Sequence, residues 1–124
     1  MPSNFFVKLA PYLAGTGASL INLDENESGT DDLVGQLLIF AADVIESVTT
    51  DGDIPPLPEI LSSSVAGKIT GPARTAIILT SAPIAIAQFQ LAATHPKASK
   101  ALKYTGQVLA ALSAGRTVPT APSF

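Results

Sequence analysis

His95 is the only histidine, and the chain has no cysteine. Imidazole catalysis needs a nucleophile to activate or a partner that orients the ring. His95 offers neither in sequence, and the proline after it marks a helix start, which accounts for the residue without chemistry. Ser62, Ser63 and Ser64 lack the glycines of a nucleophile elbow. Ser64 to Lys68 is one residue too long for a Ser-x-x-Lys pair. Polar residues on a helix face explain these serines more simply. No catalytic residue is assigned, and an enzyme is not expected.

Nucleotide and metal chemistry are also thinly supported. Gly15-Thr16-Gly17 begins a dinucleotide-binding turn, but Leu20 stands at the third glycine position and the preceding pattern is helical, not that of a strand. Gly67-Lys68 is followed by Ile69, and Ser62 occupies the first glycine position of a phosphate loop. The sharpest hint is for calcium. Asp24, Asn26, Ser28, Gly29, Thr30 and Asp32 match the first nine positions of an EF-hand loop. Position 12 should carry a bidentate glutamate, and Gly35 stands there. A polar inter-helix loop followed by a Thr30 cap is the preferred reading, so no metal or cofactor is expected.

Charge is the most informative feature. Net charge is only −3, yet all ten acids lie between Asp24 and Glu59. Six of the seven bases lie between Lys68 and Arg116, so the first 59 residues carry −9 and the rest +6. Such asymmetry points to a partner of opposite sign. Lys97, Lys100 and Lys103 are three apart, so they line one side of a helix. They stand in its first half, where the helix dipole disfavours cations. An anionic partner would explain that placement: phosphate, lipid headgroup, or the acidic part of another copy. No arginine cluster or interleaved aromatic series supports base recognition, so sequence-specific nucleic-acid binding is not expected.

The elements that must carry these residues read as helices. Ser3 to about Leu23 has Phe6, Leu9 and Leu13 at helical spacing, with an interruption or kink expected at Pro11 and loosening at Gly15-Thr16-Gly17. Asp31 to Val48 is the clearest helix. Val34, Leu37, Leu38, Ala41, Val44, Ile45 and Val48 form its apolar face; Gln36, Asp43, Glu46 and Ser47 take the other side. Leu33, Ile39 and Phe40 widen the apolar face. A further helix is expected from Pro58 to about Lys68. Pro72 opens a long segment to Ala93, with Pro83 near its middle and a strand as a weaker reading of its β-branched residues. Pro96 and Gly115 bracket the last helix, whose face is Ala98, Ala101, Leu102, Thr105, Val108, Leu109 and Leu112. The chain shows no internal repeat.

The fold expected is all-α: a compact bundle of about four to five helices, some kinked by proline. Residues 1–115 would form a single helical domain and residues 116–124 an extended Pro-rich C-terminal tail. The length of 124 residues suits one domain with a core of its own.

Hydrophobic residues make up 47% and charged residues 14%, the latter below the roughly 25% of ordinary soluble domains. Mean hydropathy is positive, +0.39. Much of the surface is therefore covered by neighbours, or part of the chain meets lipid. Thr75 to Thr94 holds 20 residues without one charge, long enough to cross a bilayer, but its Thr, Ser, Gln and Pro content makes insertion marginal.

The expectation is a structural or assembly subunit of a homo-oligomer, of the virion or filament type. It would self-associate through an acidic surface (Asp31, Asp32, Asp43, Glu46) and a basic one (Lys97, Lys100, Lys103). Its partners would be copies of itself or other assembly subunits. The alternative is a small membrane-active, holin-like protein inserting through residues 75–93. The opening Met-Pro-Ser-Asn-Phe-Phe-Val-Lys lacks a basic region before its apolar residues, so no secretory leader is expected there, and cytoplasm or virion is the expected location.

Overall fold

In the computed structural model, residues 4–23, 30–50, 52–58 and 71–122 are described. Among them the regular structure is four helices and no strand: α1 (Asn4–Leu23), α2 (Thr30–Thr49), α3 (Pro72–Leu91) and α4 (Pro96–Ser113). The helix expected over Pro58–Lys68 falls mostly on residues 59–70, outside the described residues.

α2 forms where its periodicity places it, and it touches all three other helices. Leu33, Val34, Leu37, Leu38, Ala41, Val44 and Ile45 are buried, and so are Phe40 and Ala42. The apolar face is therefore wider than one stripe. Ser47 departs from its expected polar side. It is buried, and its hydroxyl donates to the Val44 carbonyl at 2.6 Å. That local bond removes the cost of burying an unpaired hydroxyl.

α1 runs unbroken for 20 residues through Pro11, so the expected interruption does not occur. A proline inside a helix leaves the carbonyl four residues earlier without its partner. Here that is the carbonyl of Val7, on a turn whose side chain is exposed, as is Pro11 itself. Water can satisfy it. On the other side of the helix, Phe6, Leu9, Ala10, Leu13 and Leu20 are buried, each large side chain contributing about 1.5–3 kcal/mol. Burial on both sides of Pro11 outweighs the local loss. Pro83 behaves similarly in α3, also 20 residues long. The carbonyl it leaves is that of Leu79, again on an exposed turn.

α1 and α2 pack as an antiparallel hairpin. A side chain added at Gly17 would meet Ile39, and one added at Gly35 would meet Ile21. These pairs run in opposite directions along the two helices. The crossing is close because Gly17 and Gly35 lack side chains: an ideal Cβ on Gly17 would lie 2.5 Å from the Gly35 carbonyl oxygen.

α3 and α4 form the second hairpin across the short turn at residues 92–95. The Ser99 hydroxyl donates to the Gln88 carbonyl at 2.9 Å and ties the two helices together beside that turn. α4 stops where expected. Gly115 has φ +70°, its N–H donates to the Leu112 carbonyl, and the Arg116 N–H donates to the Ala111 carbonyl. This is a Schellman stop, which needs a left-handed residue.

Beyond α4, residues 116–122 are neither helix nor strand. The Tyr104 hydroxyl donates to the Pro119 carbonyl at 2.8 Å, and Val118 packs against the core. Burial raises the Tyr104 hydroxyl above its ordinary pKa, because the charged phenolate is poorly solvated there. The unfolded chain then ionises first as pH rises. Stability contributed by neutral Tyr104 is full below about pH 10 and lost as pH climbs through the folded value. Tyr104→Phe should cost about 1 kcal/mol at neutral pH and flatten the alkaline fall seen by urea unfolding. An unchanged alkaline slope in that variant would assign the fall to other groups.

Candidate functional site

The acidic and basic residues occupy two separate outer stripes. On α2 the stripe runs Asp32, Gln36, Ile39, Asp43, Glu46, spaced by four or three residues. Asp43 and Glu46 are exposed, and Asp32 is half-buried. The Asp32 carboxylate accepts a hydrogen bond from the Gln36 side-chain amide at 2.9 Å, one turn along. Asp31 occupies the first turn of α2. On α4 the stripe runs Lys97, Lys100, Lys103, Gln107, Ala110, all exposed. The opposite side of α4 is buried from Ala98 to Leu112 as its periodicity requires.

Although α2 and α4 touch, they do so through their buried faces, and the two charged stripes point outward. Among the described residues no ion pair joins an acid of α2 to a lysine of α4.

The structure also brings together a surface that periodicity alone does not reveal. The buried stripe of α3 is Ala73, Ala76, Ile77, Thr80, Ile84, Ala87 and Leu91. The Thr80 hydroxyl donates to the Ala76 carbonyl at 2.7 Å and so enters the core without an unpaired donor. The opposite side exposes Ile78, Leu79, Ile86 and Phe89. Between them lie Ala82 and Ala85, also exposed. The signal for this face is the absence of charge from Thr75 to Leu91, which leaves apolar residues on more than one side of the helix.

The sequence motifs gather little. Residues 24–29 of the calcium-like loop lie outside the described residues. Among the described residues no group of His, Cys, Asp or Glu could hold a metal ion. A groove of about 710 Å³ opens between the end of α2, residues 52–57 and the start of α4, with Asp53, His95 and Lys97 on its walls among Ile54, Pro55 and Leu57. His95 Nδ1 lies 2.9 Å from the Thr94 hydroxyl oxygen. That contact can orient the ring, but it brings no carboxylate to the imidazole. Among the described residues no helix is long and apolar enough to cross a membrane.

Comparison with known proteins adds no relative: no protein family, curated protein or solved structure matches this chain. The reading of function rests on these surfaces.

Proposed function

We propose that this protein is a structural subunit of a homo-oligomeric assembly, of the virion or filament type, in which the acidic stripe of α2 meets the lysine stripe of α4 of the next copy. The supporting observation is that Asp43, Glu46 and the three lysines are exposed, and that no ion pair joins the two stripes within the chain among the described residues. A contact between unlike surfaces is heterologous, so it closes into a ring or continues as an open filament. Holding three lysines in the first half of α4 works against the helix dipole, and an acidic neighbour would offset that.

The membrane-active alternative, insertion through residues 75–93, draws on the apolar character of α3. It has less support, since no described helix is long and apolar enough to span a bilayer.

Light scattering across a salt series tests the proposal. From about 0.01 M to about 1 M salt the screening length falls from about 30 Å to about 3 Å. The mean mass should fall over that range. Joint substitution Lys97→Glu, Lys100→Glu and Lys103→Glu should abolish the low-salt species, as should Asp43→Lys with Glu46→Lys. Mixing the two variants should restore association, because each then supplies the sign the other lacks. A monomer whose mass ignores salt at high concentration would defeat the reading.

A further inference from the structure

We infer that the outer face of α3 is a two-fold contact between copies of this chain. The inference deepens the homo-oligomer reading and shares its premise that the chain self-associates. Four large apolar side chains stand out of this face: Ile78 (64% exposed), Leu79 (56%), Ile86 (47%) and Phe89 (77%). Together they offer on the order of 500 Å² of apolar surface per chain. Pairing two such faces removes about 1,000 Å² from water, the threshold for a specific interface. An isolated exposed leucine needs no explanation, but a continuous apolar helix face does.

The occupant follows from the pattern of the face. From Thr75 to Thr94 there is no charge, so the face carries nothing with which to select an acidic or basic partner. It is, however, complementary to itself. Lay two copies antiparallel with Ala82 crossing Ala82. Ile78 then stands opposite Ile86, Leu79 opposite the small Ala85, and Phe89 opposite Thr75. The two Arg74 side chains fall at opposite ends, each near Gln90, so no like charges meet. Small residues at the crossing let the helices approach, and large ones flank it on both sides. A two-fold interface demands this reciprocity, each residue meeting a partner that meets it in return.

A lipid surface fits the same face less well. Helices that lie on membranes carry Lys and Arg on their polar side. α3 carries only Arg74, and its other side is packed into the core of its own bundle. An α3 pair uses a different surface from the charged stripes. Two-fold pairs linked by heterologous charge contacts would extend an assembly in a way that neither contact achieves alone.

The chain has no cysteine, which makes a single engineered one informative. Under mild oxidation Ala82→Cys should form a disulfide-linked dimer in high yield, and Gln107→Cys, on the exposed side of α4, should not. Phe89→Ser with Ile78→Ser should raise the dimer dissociation constant about thirtyfold or more in sedimentation experiments, with helix content and thermal midpoint kept. Wild-type protein that stays monomeric at high concentration overturns the inference. So does equal cross-linking at positions 82 and 107, or transfer of the chain onto phosphatidylcholine vesicles in place of dimer. A salt-sensitive oligomer indifferent to Phe89→Ser and Ile78→Ser overturns the α3 contact and leaves the charge reading standing. A salt-insensitive dimer broken by those substitutions does the reverse.

Discussion

Gly17→Ala or Gly35→Ala should each lower the unfolding free energy by about 2 kcal/mol, although alanine is the better helix former. Alanine in a helix interior gains about 1 kcal/mol over glycine by propensity, so the steric loss must exceed that gain to reverse its sign. At Gly17 the new Cβ would sit 2.5 Å from the Gly35 carbonyl oxygen and 2.9 Å from Ile39 Cγ1. At Gly35 it would sit 2.6 Å from the Gly17 carbonyl oxygen and 2.8 Å from Ile21 Cγ1. A side-chain tip can swing away, but a helical carbonyl cannot. The two helices must part, loosening the core around Leu13, Leu20 and Leu38, all of which are buried.

For a domain of this size such a loss lowers the thermal midpoint by roughly 6–10 °C. The control is within the same helix. A Cβ at Gly15 meets nothing within 4 Å, and the same holds at Gly106 in α4. Gly15→Ala and Gly106→Ala should therefore raise stability, by up to about 1 kcal/mol. The double variant Gly17→Ala/Gly35→Ala should lose less than the two singles together, since the first already separates the helices. If Gly17→Ala stabilises like Gly15→Ala, the close crossing of α1 and α2 is wrong.

Leu102→Ala carries the other large effect. Leu102 is fully buried at the middle of α4, with Ala101, Thr105, Val108 and Leu109 on the same side. Removing its branched end forfeits transfer energy and leaves a cavity, about 2–5 kcal/mol in all. Two residues earlier, Lys100 is exposed, and Lys100→Ala should change stability by no more than about 0.5 kcal/mol. Chemical denaturation of both variants fixes the rotation of α4: similar losses for the two would mean that the helix presents another face to the core. The pair also separates folding from association. Lys100→Ala leaves the bundle intact while weakening the lysine stripe, so a drop in low-salt mass in that variant cannot be blamed on unfolding.

Amphipathic helices were the legible part of this protein. In α2 and α4 the apolar residues recur every three or four positions with polar ones between, and that pattern alone orients each helix about its own axis. Val34, Leu37, Leu38, Ala41, Val44 and Ile45 are inside, and Lys97, Lys100 and Lys103 are outside, as the spacing requires. The stop at Gly115 was equally local, because a left-handed residue suits glycine. Periodicity thus placed Asp43, Glu46 and the three lysines on the solvent side, while Ser47, read onto the polar side of α2, is buried.

What remained undecided was settled by neighbours. α3 has apolar residues on more than one side, so its pattern does not say which side enters the core; packing against α4, α2 and α1 chose Ala73, Ile77, Ile84 and Leu91, leaving Ile78 and Phe89 outside. Pro11 looked like a break because local rules count only the lost hydrogen bond. The continuous helix reflects burial on the far face, which is a property of the bundle. Gly17 read as a loosening residue and Gly35 as the place of a missing calcium ligand, yet the two lie where the backbones of α1 and α2 come close together. Sequence by itself determined that this chain is helical, where α2 and α4 lie and how they are turned, because propensity and period act within a few residues. Only the tertiary structure decided which apolar side of α3 faces solvent, how near α1 comes to α2, and that the acidic and lysine stripes are unpaired within the chain among the described residues, because each depends on atoms far apart in sequence.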